Sequence, residues 1–253
     1  KSINYAAQFA ENNNNSPSFL FFENRDGFYF TSLESMYESQ SVQKFTYDRY
    51  TRDKKPNGED ARNVTEDFKR INLISIPIGF DYIDRIRSGM FASKATSYDL
   101  TKKSYRVKTY NMFDKFDTSK HLNKYNVASL NSIFRTNSSM MIIPRYTDGF
   151  SGGGDLSYFK SIQQRISLLK AAEANKIHIS VPGRLDYTVG QKVEVRLNKV
   201  EPLRSSDRDI EDKMFSGFYI ISAINHNVDK EMHECHMELI KDSLLMSVDK
   251  AKK

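Results

Sequence analysis

The last third of the chain constrains the fold most. From Lys176 onward apolar residues recur at every second position: Ile177, Ile179 and Val181 share one face, and Val193, Val195 and Leu197 share another. A period of two belongs to strands that bury one side. Gly217 to Val228 and Glu231 to Leu244 then form a long hairpin around Asp229-Lys230. In its first arm Phe218, Ile220, Ser222 and Ile224 alternate with Tyr219, Ile221 and Ala223, so this strand is expected to be covered on both sides. Just upstream the period changes. Leu156, Phe159, Ile162, Ile166 and Leu169 are spaced by three and four and end in Ala171-Ala172, which predicts one amphipathic helix capped by Asp155 behind a Ser151-Gly152-Gly153-Gly154 hinge.

The first two thirds are less regular. Ser2 is placed to cap a helix marked by Ile3, Ala6, Ala7 and Ala10. Phe19 to Phe22 and Phe28 to Phe30 read as strands joined through Asn24-Arg25-Asp26-Gly27, and Thr31 with Glu34 forms a capping box for a short helix. The charged stretch from Thr51 to Asn63, with Pro56-Asn57-Gly58, reads as a loop. A short helix is expected from Glu66 to Asn72, and a strand from Leu73 to Phe80, kept to an edge by Pro77. The alternating charges of Asp81, Asp84, Arg85 and Arg87 read as a solvated face. Phe91 to Leu100 and Ser104 to Met112 are extended. Asp114 to Ser139 is polar, with Val127, Leu130 and Phe134 as scattered anchors, and reads as an excursion from the core.

With 253 residues, 39% of them hydrophobic, the chain is long enough for a substantial core. No apolar run reaches the about 18 residues of a membrane-spanning helix, and no signal peptide is visible. A single cysteine, Cys235, precludes an internal disulfide. The balance of 38 basic against 32 acidic residues permits a polyanionic partner without requiring one.

Candidate chemistry is sparse. His226, His233, Cys235 and His236 are all metal-ligand types, but His233 and His236 fall on opposite faces of a strand. His233 and Cys235 share a face without a zinc-motif spacing, so no metal site is expected. Cys235 with His121 or His178 has no nucleophile–base spacing. Gly152-Gly153-Gly154 lacks the Lys-Ser/Thr of a phosphate loop, and no G-x-S-x-G is present. The carboxylate pairs Glu231/Glu234 and Asp81/Asp84 carry no specific signal. Arg135, Arg145 and Arg165 interleaved with Phe134, Tyr146 and Phe159 offer the alternative of a nucleic-acid-binding β-barrel. No catalytic residue and no cofactor is expected.

Three blocks carry a family resemblance. Ser216-Gly217-Phe218-Tyr219-Ile220-Ile221 reaching His226, followed by Met237-Glu238-Leu239-Ile240-Lys241-Asp242-Ser243-Leu244, resembles the S-G-x-Y-x-I…K-D-S-L closing hairpin of phage tail hub proteins. Gly89-Met90-Phe91-Ala92-Ser93, then Tyr98-Asp99-Leu100 and Lys102, resembles that family's G-M-x-x-S…D…K segment, and Phe21 to Leu33 resembles a further block. In their order the blocks are similar to baseplate hub proteins of T4-like contractile-tailed bacteriophages, with distant kin in the heads of type VI secretion spikes.

The resemblance implies a mainly β (α+β) fold: a tail-tube-like antiparallel β-barrel with one amphipathic helix over residues 78–245, interrupted at about 114–153. A smaller α+β lobe is expected at 1–77 and a tail at 246–253. It implies a non-enzymatic virion protein, assembled in the host cytoplasm. That protein would be a homotrimer joining the sixfold tail tube, or a tube-initiator protein, to the threefold central spike beside other baseplate proteins. No membrane contact is implied, and DNA would be met only as it passes through the channel. A second barrel is expected to be encoded before Lys1.

Overall fold

In the computed structural model the alternating segments become the wall of one curled sheet, and the chain is mainly β with helices outside it. The structure describes residues 2–13, 16–47, 67–77, 81–99, 103–128, 139–145, 156–199 and 211–248. The elements run α1 (Ser2–Phe9), β1 (Phe19–Asn24), β2 (Gly27–Ser32), α2 (Leu33–Glu38), β3 (Ser41–Tyr47) and β4 (Leu73–Ser75). There follow α3 (Tyr82–Arg87), β5 (Ala92–Asp99), β6 (Ser104–Asn111), α4 (Met112–Lys115), β7 (Tyr125–Asn126) and β8 (Ser139–Arg145). The last are α5 (Leu156–Ala172), β9 (Asn175–Pro182), β10 (Lys192–Leu197), β11 (Gly217–Val228), β12 (His233–Lys241) and β13 (Ser243–Leu244).

Six strands form the barrel in the order β3-β10-β11-β12-β9-β4. The chain closes its seam just before β4: Thr46 N donates to Lys69 O at 2.8 Å, and Ile71 N donates to Thr46 O at 2.9 Å. Residues 69–75 thus run from the free edge of β3, bridged at Thr46, to that of β9, where Leu73–Ser75 pair with His178–Ser180. The alternating residues point into the lumen. Phe45, Ile71, Ile177, Ile179, Val181, Val193, Val195, Leu197, Tyr219, Ile221, Met237 and Leu239 make one buried cluster, plugged by Tyr187. Each such side chain contributes about 1.5–3 kcal/mol by leaving water. On the outer face Ile220, with Phe218 and Ile240, meets Met36 and Tyr37 of α2 and Leu169 and Ala172 of α5. The two-faced pattern of β11 is explained as far as Ile221. Beyond the register shift between Ile221 and Ala223 its outer end is exposed.

A second sheet, ordered β6-β5-β8, leans on the other side of α5. Small residues on β5 let the helix approach. Gln163, fully buried, donates through Nε2 to Ser93 O (2.8 Å) and Ser93 Oγ (3.0 Å), and Ser167 Oγ donates to Met90 O at 2.6 Å. Met90, Phe91, Met112, Phe113, Val127, Ala128, Ala171 and Leu244 fill the joint.

Several expectations are corrected. The barrel is not wholly antiparallel, because β3 runs parallel to β10 and belongs to the barrel rather than to an N-terminal lobe. The strands β5 and β6, expected in the barrel wall, pair instead with each other, and β5 pairs on its other edge with β8, which comes from the expected interruption. Alternation identifies a strand but not its neighbour, and the parallel pairings Lys44–Glu194 and Thr96–Ile142 join strands that are not consecutive in the chain. Residues 121–128 are no excursion: Leu122, Val127 and Ala128 are buried and β7 pairs with β13. Val248, in the expected tail, packs against the second core. The cap of α2 is Ser32, whose Oγ accepts from Ser35 N at 3.2 Å; Glu34 instead turns inward to accept from Asn12 Nδ2 at 2.6 Å. Residues 69–71 serve the seam rather than a helix. Asp81 caps α3, and Arg85 donates to the carbonyls of Lys170 and Glu173 at the end of α5, where a cation is favoured. The 51–63 loop, the 151–154 hinge and Asp155 lie outside the described residues.

Candidate functional site

The residues of the hub-like closing hairpin converge on one buried knot. Lys241 has no exposed surface, donates from Nζ to Met214 O (2.7 Å) and Ser216 O (3.0 Å), and lies 4.7 Å from the centre of the Tyr219 ring. Burial pulls its ammonium down to about 7, opposed by the charge of Asp212. Asp242 Oδ2 takes a 2.6 Å hydrogen bond from His121 Nδ1, while its Oδ1 accepts from Leu122 N and Ser243 Oγ. His121 Nε2 lies 2.8 Å from Phe116 O. Both partners of this ring only accept, so the imidazolium satisfies both. Burial disfavours that charged form, but the bond and charge of Asp242 outweigh it and the pKa is raised. Asn123 bonds both the N–H and the carbonyl of Phe218 and the carbonyl of Ser243.

A serine, a histidine and an aspartate meet here without the order of a nucleophilic triad. Ser243 Oγ donates to Asp242 and accepts from Asn123 N rather than facing the imidazole. Sequence reading missed His121 and Asp242 as a pair. The one available signal was Lys241 standing where the alternation of Cys235, Met237 and Leu239 puts a buried residue, with Asp242 next to it.

A second cluster lies at the outer end of the same hairpin. The register sets His226 opposite Cys235 and Val228 opposite His233. His226 Nδ1 lies 3.2 Å from Cys235 Sγ and 3.2 Å from His233 Nε2, and Sγ lies 3.9 Å from His233 Nε2. Cys235 is buried, and burial raises its thiol pKa; desolvation, then His233 and Arg25, lower that of His226. The expectation of no metal site rested on spacing within one strand. The third donor arrives across the hairpin, so that reasoning fails here. His236, on the opposite face, is not part of the group. His178 lies across from Glu238, away from the cysteine.

A third feature is an apolar surface on the second sheet. Tyr98 pairs with Tyr105, and Thr96 lies between Val107 and Ile142. Tyr105, Met140 and Ile142 are 72%, 66% and 73% exposed, with Tyr98 and Val107 also exposed. The β1–β2 hairpin adds exposed Phe28, Tyr29 and Phe30, stacked on Phe21, Phe22 and Phe19. Of the basic–aromatic group, Arg165 donates to Pro17 O at 2.8 Å within the fold. Arg135, Phe134 and Tyr146 lie outside the described residues, as do the side chains of Arg145 and Phe159.

No protein-family model and no curated protein matches the chain. Among solved structures it is similar to a tail protein from Neisseria meningitidis MC58, with 13% identity, a TM-score of 0.46, and coverage of 95% of this chain and 53% of that one. It is also similar to the 43 kDa tail protein of prophage MuSo2 from Shewanella oneidensis, with 8% identity, a TM-score of 0.45, and coverage of 96% and 54%. Both likenesses are loose, and the chain spans about half the length of each of these tail proteins.

Proposed function

We propose that the chain is a structural, non-enzymatic subunit of a contractile phage tail, working as a homotrimeric baseplate hub between the sixfold tube and the threefold spike. The observation that carries this reading is the exposed face of Tyr98, Tyr105, Val107, Met140 and Ile142. A contiguous apolar face with tyrosines among its residues is the signature of a surface that another protein covers. The hub-like sequence blocks supply the particular assembly. A threefold ring of such subunits closes on itself, so its sticky faces are consumed without runaway growth.

The test is a reconstruction of the assembled tail. Three copies in one ring, with the β6-β5-β8 face covered by a neighbour, is the expected result; six copies in one ring, or one on the axis, refutes the adaptor role. The alternative of a nucleic-acid-binding barrel predicts single-stranded DNA affinity that falls steeply with salt. The internal engagement of Arg165 speaks against it.

A further inference from the structure

We propose that His226 Nδ1, His233 Nε2 and Cys235 Sγ together bind one thiophilic divalent cation, zinc in the first instance, at the outer end of the β11–β12 hairpin. The site is independent of the hub reading. A tetrahedral zinc holds imidazole nitrogens at about 2.0–2.1 Å and a thiolate at about 2.3 Å, which places neighbouring donors about 3.3–3.6 Å apart. The three separations here are 3.2, 3.2 and 3.9 Å. The donors therefore already stand close to three corners of the required tetrahedron.

Two further observations favour an ion over a set of hydrogen bonds. In a neutral imidazole the non-protonated nitrogen offers one lone pair. Yet both the thiol of Cys235 and Nε2 of His233 approach His226 Nδ1 at 3.2 Å. In either tautomer Nδ1 carries one proton or one lone pair and makes one good hydrogen bond, and the thiol proton has Arg184 O at 3.7 Å as a further acceptor, whereas a cation at the centre engages all three atoms. The second observation is Gly183. A Cβ there would lie 2.1–2.4 Å from the His233 ring, and Gly183 N donates to His233 O at 2.7 Å. The imidazole is thus seated flush on backbone at a place where only glycine admits it.

On binding, the Cys235 thiol gives its proton to solvent and the thiolate becomes a ligand. Three protein donors leave a fourth position for water. The ion would tie the exposed end of β11 to β12 beyond the point where the lumen packing stops.

The experiment is titration of the purified, chelator-stripped chain with Co2+, which reports geometry and thiolate ligation by absorption, followed by displacement with Zn2+. We expect saturation at one equivalent, visible bands of a tetrahedral ion, and a thiolate-to-metal charge-transfer band. Cys235→Ser should lose that band, His226→Asn and Gly183→Ala should weaken binding, and His236→Ala should leave it unchanged. Circular dichroism confirms that each variant is folded; His226→Asn, at a surface position, keeps the test available if Cys235→Ser unfolds. Absence of saturable binding by the parent chain overturns the proposal. So does an unaltered spectrum in Cys235→Ser or unaltered affinity in His226→Asn, and so does an equal loss in His236→Ala.

Discussion

Lys241→Met isolates the energetics of the buried knot. The methionine keeps most of the apolar stem and removes the nitrogen that serves Met214 O and Ser216 O. In the unfolded chain the lysine titrates near 10.5; in the fold, burial lowers it to about 7. Between those values the unfolded state holds the proton and the folded state does not, so raising the pH favours folding. The native protein should gain about 1.4 kcal/mol per pH unit from this group on leaving pH 7, and about 4–5 kcal/mol by pH 10.5. Below pH 7 both states are charged and the slope vanishes. A neutral amine retains two N–H donors, so both carbonyls stay satisfied across the window. Urea unfolding of the parent and Lys241→Met chains from pH 6 to pH 10 reads the difference, which cancels titrations that the two share. The stability difference should move in favour of lysine as the pH rises. A difference that stays flat with pH refutes the assignment of a desolvated ammonium at this position.

Asp242→Asn should cost about 3–5 kcal/mol in urea unfolding near neutral pH, because it leaves the His121 imidazolium buried without its counter-charge. The raised His121 pKa gives the opposite pH sign to Lys241: its stabilisation is fully present below about 6.5 and is lost as pH rises through the folded value, so the penalty of Asp242→Asn should shrink on that side. Gly217→Ala should destabilise by about 1–3 kcal/mol, since φ is +127° and the new methyl would lie 2.6 Å from Asn123 Oδ1. The loss should be visible as a lower thermal midpoint. Ile142→Asp, on the exposed face, should leave the isolated chain's stability within about 0.5 kcal/mol while blocking tail assembly in a reconstitution assay.

What was legible in the sequence was what short-range periodicity encodes. Helix α5 and strands β9 to β12 were visible because their apolar residues recur at 3.6 or 2. The parallel partners of β3 and β5 were not, since neighbours as distant as Glu194 is from Lys44, or Ile142 from Thr96, leave no local mark. The Cys–His cluster shows how finely such a reading depends on one turn. A turn confined to Asp229-Lys230 would pair His226 with His233. Instead, Asp229 Oδ1 accepts from the N–H groups of both Glu231 and Met232, and Asp229 N donates to Met232 O. The loop is two residues longer, Val228 pairs with His233, and His226 comes to face Cys235. A shift of two keeps every side chain on its own face, so alternation alone could not detect it.

The closing-hairpin block and the proposed contact face are built from different residues, and that separation has a physical basis. Ser216 bonds Leu197, Gly217 makes room for Asn123, Tyr219 fills the lumen, and Lys241, Asp242 and Ser243 form the knot. All are buried, and each is fixed by a donor, an acceptor or a volume that few other residues supply. Tyr105, Met140 and Ile142 face outward, where any apolar residue matching the partner would serve. Resemblance in the buried set therefore speaks for a shared chain path, while the partner is written in the exposed set. The symmetry of the assembly has to be read from the particle, because these buried residues of the closing hairpin do not reach the surface where neighbours would meet.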